Sequence, residues 1–128
     1  MDRSRRVGVD RKTDVEVNMA DVYKTETITR AEVDSLDGVT VLDFGTNWCG
    51  HCRSAEPHIE RALAEYPQIN HIKVEDGPGR PLGRSYRVKL WPTLVFVRLG
   101  QELARVVRPT DAKVVVDAAA QTTNPLSD

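Results

Sequence analysis

The feature that most limits what this chain can become is the pentapeptide Trp48-Cys49-Gly50-His51-Cys52. It holds the only two cysteines in 128 residues, and two residues separate them. That spacing suits a local, reversible disulfide. An apolar stretch, Val39 to Phe44, runs into the motif, and a helical pattern of Ile59, Leu63 and Tyr66 leaves it. A close cysteine pair between a strand and a helix reads as a redox motif. The reactive species is a thiolate, and a helix N-terminus favours negative charge at its first turn. Structural zinc is the competing reading, but it needs four Cys or His ligands. Only His51, His58 and His71 supplement the cysteines, and none has finger-like spacing.

The elements on either side follow from pattern. Thr29, with Glu32 three residues on, has the spacing of a capping box for a short helix through about Leu36, ended by Asp37-Gly38. Val39 to Phe44 is apolar on both alternating faces apart from Thr40 and Asp43, which predicts a central strand covered on both sides. A helix is expected from Cys49 to Tyr66, kinked at Pro57. Ile69 to Val74 reads as a strand, Gly77-Pro78-Gly79 as a turn and Pro81 to Tyr86 as a short helix. Thr93 to Val97 reads as a second central strand. Leu99-Gly100-Gln101 turns it into Glu102 to Val107. Asp111 caps a closing helix from Ala112 to about Gln121, with Val114, Val115 and Ala118 facing inward. This order predicts an α/β domain, residues 21–121, with a central mixed sheet and helices on both faces. Residues 1–20 mix opposite charges and carry little apolar content, so a flexible arm is expected. A short strand at Val15 to Val17 or Val22-Tyr23 is compatible with it. Residues 122–128 are expected to be a flexible tail.

Composition excludes several classes. A net charge of −1 gives no electrostatic case for nucleic acid or a membrane surface. Two cysteines are too few for a disulfide-stapled secreted scaffold. Arg3, Arg5 and Arg6 near the start have no apolar run behind them, whereas a secretory signal needs roughly 7–15 apolar residues there. No stretch approaches the roughly 20 apolar residues of a membrane span. A cytoplasmic location is therefore expected.

Taken together, Val41-Leu42-Asp43-Phe44, Trp48-Cys49-Gly50-His51-Cys52, Pro57, Leu63-Ala64-Glu65-Tyr66 and Trp91-Pro92-Thr93-Leu94 resemble the thioredoxin family over residues 25–121. The resemblance implies a thioredoxin-like fold and a protein thiol–disulfide oxidoreductase. Cys49 would attack a substrate disulfide and Cys52 would resolve the mixed disulfide. Asp43, six residues before Cys49, matches the family's buried aspartate, thought to take the proton of the second cysteine through water. On its strand it shares a face with Val39 and Val41, where burial disfavours its charged form. Lys73 falls where the family often has a lysine beside that aspartate. Pro92 matches the family's cis-proline and, with Thr93, would shape a groove for an extended peptide. Trp48 would form part of the groove, and Gly50 completes the motif. No organic cofactor or metal is implied. Protein disulfides and a partner reductase are the implied partners, and a monomer is expected.

Four departures bear on direction and selectivity. His51 replaces the usual proline, and Cys-Gly-His-Cys is the pattern of protein disulfide isomerases. A protonated imidazole there would stabilise the Cys49 thiolate and make the protein more oxidising. The two classes differ by roughly 90 mV, about 4 kcal/mol. Weighed against that, a reducing compartment favours a reductase, with an oxidase or isomerase as the alternative. A binding module with vestigial redox chemistry is the reading from another class. Trp91 precedes Pro92 where a small aliphatic residue is usual. Arg108 stands at the groove's edge in place of a small residue. Gly45 takes a position that is often aromatic. Arg80, Arg84, Arg87, Lys89, Arg98, Arg105 and Arg108 face Glu102 alone between residues 80 and 108, a basic rim that suits acidic partners.

Overall fold

The computed structural model describes residues 22–23 and 28–123. The elements run α1 (Arg30–Asp34), β1 (Thr40–Gly45), α2 (Gly50–Leu63), β2 (Asn70–Glu75), α3 (Pro81–Ser85), β3 (Thr93–Arg98), β4 (Gln101–Val107) and α4 (Ala112–Thr123). Among the described residues, four strands form one sheet in the order β2-β1-β3-β4. β2 lies parallel to β1, while β3 runs antiparallel to both β1 and β4. This is the expected mixed sheet. β1 and β3 are its interior strands, and every residue of β1 is buried.

Alternation along the interior strands builds two cores. Val41, Leu94 and Phe96 face α2 and α4, meeting Ala55, Ile59, Ala62, Leu63, Val115, Ala118 and Ala119. Leu42, Phe44, Val95 and Val97 face the other way, onto Val33 of α1 and onto Leu82 and Tyr86 at α3. Helices thus cover both faces, and the near-continuous apolar runs of β1 and β3 are explained by two-sided burial. The capping box forms: Thr29 Oγ1 accepts from the Glu32 amide and Glu32 accepts from the Thr29 amide.

The boundaries differ from the sequence expectations in instructive places. α1 stops at Asp34, capped by Ser35, short of Leu36. α2 continues through Pro57 but ends at Leu63, three residues early. Pro67 follows Tyr66 and disfavours helical backbone in it, so the chain leaves the helix beforehand. α4 runs two residues past Gln121. Thr122 lies a turn beyond Ala118 and Ala119 on the same buried face, and its Oγ1 donates to the Ala119 carbonyl at 2.8 Å, so the expected tail starts too early. Val114, expected inside, is 42% exposed; Asp111 does cap its amide, at 3.2 Å. Val22-Tyr23 is not a strand. The expected arm at 1–20, with its candidate strand at Val15 to Val17, and tail residues 124–128 lie outside the described residues.

Phe96 sits wholly buried on an interior strand beneath α2 and α4. Phe96→Ala is expected to cost about 3–5 kcal/mol, whereas Val114→Ala stays within about 0.5 kcal/mol. Urea unfolding midpoints of the two variants check the difference.

Candidate active site

β1 delivers the motif. Its last residue, Gly45, opens the loop Thr46-Asn47-Trp48, and Cys49 becomes the N-cap of α2 in extended conformation. The Cys52 amide donates to Cys49 Sγ at 3.1 Å, one of the first-turn amides that a helix leaves without a backbone partner. A thiolate at Cys49 would therefore face a fixed donor. Both thiols are free. Cys49 is the more accessible, at 6% against 2% for Cys52. Burial, reinforced by the interaction with Cys49, pushes the Cys52 thiol up to about 12. The two sulfurs are thus unequal in exposure and surroundings. Gly50 and His51 are exposed on the first turn. A side chain at Gly50 would meet nothing within 4 Å, so no crowding requires glycine there.

Asp43 is fully buried on β1. Its carboxylate has two anchors. The Tyr23 hydroxyl donates to Oδ1 at 2.8 Å, and His71 Nε2 lies 2.8 Å from Oδ2. A buried carboxylate needs such partners to offset lost hydration. Tyr23 is itself clamped by Asn47, which accepts from its amide at 2.9 Å and donates to its carbonyl at 3.0 Å. Lys73 is the register partner of Asp43, as its strand position suggests. Its ammonium donates to Glu56 of α2 at 2.7 Å and lies 5.0 Å over the Tyr23 ring. The hydrogen bonds described at Asp43 thus come from Tyr23 and His71, and Lys73 ties β2 to α2.

The surface around the cysteines is aromatic. Trp48 is 69% exposed and packs edge-on against Trp91, with ring centroids 5.7 Å apart. Trp91 reaches the cluster of Tyr23, Cys49 and Cys52 and donates Nε1 to Asp76 at 2.9 Å. The Trp91–Pro92 peptide is cis. Arg108 brackets this peptide: its amide donates to the Pro92 carbonyl at 2.9 Å and its Nε to the Trp91 carbonyl at 2.8 Å. Thr93 is buried, and its hydroxyl donates to the Leu90 carbonyl at 2.6 Å. His51, Ser54, His58, Arg108, Pro109 and Thr110 line a cavity of about 400 Å³ on one side of the motif. Past Trp91, a second cavity of about 420 Å³ is lined by Arg80, Arg84, Arg87 and Lys89 together with Asp76, and Arg80 also pairs with Glu75 at 3.6 Å. Other cations of the expected rim serve the fold. Arg98 donates to the Thr122 carbonyl, and Arg105 pairs with Glu102.

Three residues escaped the sequence reading. His71 is two positions before Lys73, so strand alternation placed it on the face of Asp43, and that signal was available. Glu56 lies one helical turn after Cys52, which is also readable. Tyr23 carried no local signal, because it reaches Asp43 across 20 residues of chain. Gly45 gives the reciprocal clue. A Cβ there would stand 2.5 Å from Cys52 Sγ and 2.9 Å from the Tyr23 hydroxyl, so its bareness admits the ring.

Comparison with known proteins agrees with this geometry. The Thioredoxin family model matches residues 19–121. The chain is 32% identical over 99 residues to thioredoxin-1 of Saccharomyces cerevisiae, covering 75% of this chain and 96% of the yeast protein. It is 32% identical over 80 residues to the thioredoxin of Chlamydia pneumoniae, covering 62% and 78% of the two chains. The structure of reduced thioredoxin 2 from Pseudomonas aeruginosa PAO1 superposes with a TM-score of 0.72 at 52% identity, covering 79% of this chain and 94% of that one. With a Cys-x-x-C motif capping a helix at the end of a central strand, and matches that span nearly all the described chain, this protein belongs to the thioredoxin family of thiol–disulfide oxidoreductases.

Proposed function

We propose that the chain reduces protein disulfides, with Cys49 as attacking thiolate, Cys52 as resolving thiol and Asp43 as the group that receives the Cys52 proton. The observation that carries this reading is the inequality of the two sulfurs. Cys49 takes a backbone donor at the helix N-terminus beside exposed Trp48, while Cys52 lies behind it with a raised proton affinity. A nucleophile needs access and charge stabilisation. A resolving thiol must stay protonated until the mixed disulfide forms. Asp43 sits on the inner side, where that proton leaves.

Trp48, Trp91 and the Pro92 backbone form the surface a substrate strand meets, and Arg108 secures it. The cations around the second cavity lie next to Trp91, which favours acidic partners. Electrons come from a partner reductase, as for thioredoxins generally. Among the described residues no helix is long and apolar enough to cross a membrane. We assign the protein to a reducing cytoplasm, as a monomer. The second reading, an oxidase or isomerase, is favoured by one observation: His51, exposed on the first turn of α2 between the cysteines.

Four measurements test this reading. Cys49→Ser reduces insulin disulfides no faster than dithiothreitol alone, while Cys52→Ser accumulates mixed disulfides in lysate, enriched in acidic proteins. No trapped species with Cys52→Ser removes the assignment of roles. Redox titration against glutathione gives a potential near about −270 mV, and a value near about −180 mV assigns the oxidase or isomerase direction instead. The fourth is stability against pH. The Cys52 thiol is raised in the fold above its ordinary value, so its neutral form stabilises the reduced protein fully below about pH 9. That contribution is lost as pH rises from there towards 12. Urea midpoints of reduced wild type fall more steeply between pH 7 and 10.5 than those of Cys52→Ser.

A further inference from the structure

Resolution of the mixed disulfide requires a proton to leave Cys52, a thiol held well above neutrality. Asp43 is the nearby carboxylate, and the Tyr23 hydroxyl stands at the junction of the two. It donates to Asp43 Oδ1 at 2.8 Å. Its ring clusters with Cys49 and Cys52. The point where a Cβ of residue 45 would sit lies within 3 Å of both the Tyr23 hydroxyl and Cys52 Sγ, so phenol and thiol share one small space. With its proton committed to Asp43, the Tyr23 oxygen keeps lone pairs free to accept.

We propose that the Tyr23 hydroxyl carries the proton from Cys52 to Asp43, as a built-in relay in place of a solvent molecule. This rests on the dithiol reading above and deepens it. In the mixed disulfide, Cys49 Sγ is bonded to a substrate sulfur. The Cys52 proton passes to Tyr23 Oη as the Tyr23 proton passes to Asp43 Oδ1, so the phenol ends neutral. The Cys52 electron pair forms the Cys49–Cys52 bond. The Cys49–substrate bond breaks, and the substrate sulfur leaves with its electron pair as a thiolate that solvent protonates. The protein dithiol is oxidised by two electrons and the substrate disulfide is reduced by two. Burial, with the Asp43 charge beside it, raises the Tyr23 phenol far above its ordinary range, which disfavours free tyrosinate and favours a concerted transfer. After transfer the hydroxyl donates to the new Cys52 thiolate and stabilises it.

Among the described residues, the titratable groups around this path are Asp43 on β1, His71 and Lys73 on β2, Cys49 at the cap of α2, and Cys52 and Glu56 on α2. His71 holds the receiving carboxylate on its far oxygen. Lys73 over the Tyr23 ring is paired to Glu56.

Stopped-flow single turnover of the reduced full-length chain with a peptide disulfide separates formation of the mixed disulfide from its resolution. Tyr23→Phe is expected to leave the first phase unchanged and to slow the second about 100-fold at pH 7, the lower end of general acid–base effects. The deficit shrinks as pH rises, because hydroxide replaces the relay; a packing role alone would not move this profile. In an Asp43→Asn background the same change adds less than about threefold, since both residues serve one path. Site-specific 3-fluorotyrosine at position 23 keeps the shape of the ring and alters the phenol's acidity. It changes the second phase and spares the first, which settles the matter if Tyr23→Phe fails to fold. An unchanged second phase in either variant, or full additivity with Asp43→Asn, overturns the relay. If wild type forms no mixed disulfide at all, the dithiol reading falls with it.

Discussion

The buried carboxylate of Asp43 is the constraint on which the site is built. A charge on an interior strand is costly unless its oxygens find partners. Here they come from opposite directions. Tyr23, upstream of the first helix, supplies a hydroxyl to one oxygen, and His71 on the neighbouring strand meets the other. Each partner is held in turn. Asn47 grips the Tyr23 backbone with both ends of its amide, so the loop just before the cysteines is tied to the segment that carries the phenol. Satisfying one carboxylate therefore positions the inner side of the redox motif.

The outer side follows a different logic. Cys49 is placed by the start of α2 and needs only the backbone to gain a donor. The aromatic ledge of Trp48 and Trp91 is braced from beneath, by Asp76 on the indole of Trp91 and by Arg108 on the carbonyls on either side of the Trp91–Pro92 junction. Arg108 has a positive φ of 50°, an unusual conformation for a non-glycine residue, and makes two of these contacts from it. The basic run of residues 80–108 divides between these tasks. Arg98 and Arg105 close the fold, while Arg80, Arg84, Arg87 and Lys89 gather beside Trp91.

Much of this was legible because the signals were local or periodic. Two-sided apolar runs placed β1 and β3. The capping box placed α1, and the junction of strand and helix placed Cys49 and Cys52. Legibility failed where the deciding contact lay far along the chain. Lys73 sits opposite Asp43 in register, as its strand position suggests, but its ammonium also donates to Glu56, which α2 brings to it. Thr122 looked like the start of a polar tail, yet it lies on the buried face of α4 and satisfies its hydroxyl on the turn before. Gly45 looked like the mere loss of an aromatic. Its empty space holds the Tyr23 ring instead.

By itself, the sequence determined the reaction chemistry and the sheet that carries it. A dithiol of this spacing needs a helix start, and the hydrophobic pattern supplies one at the end of a covered strand. The tertiary structure alone decided which groups surround the inner sulfur. Tyr23, Asp43, His71 and Cys52 come from four separate stretches of chain, and only their packing makes them neighbours. Pattern and spacing report contacts within one element or between paired strands. A hydroxyl brought across 20 residues to a buried carboxylate leaves no period to read.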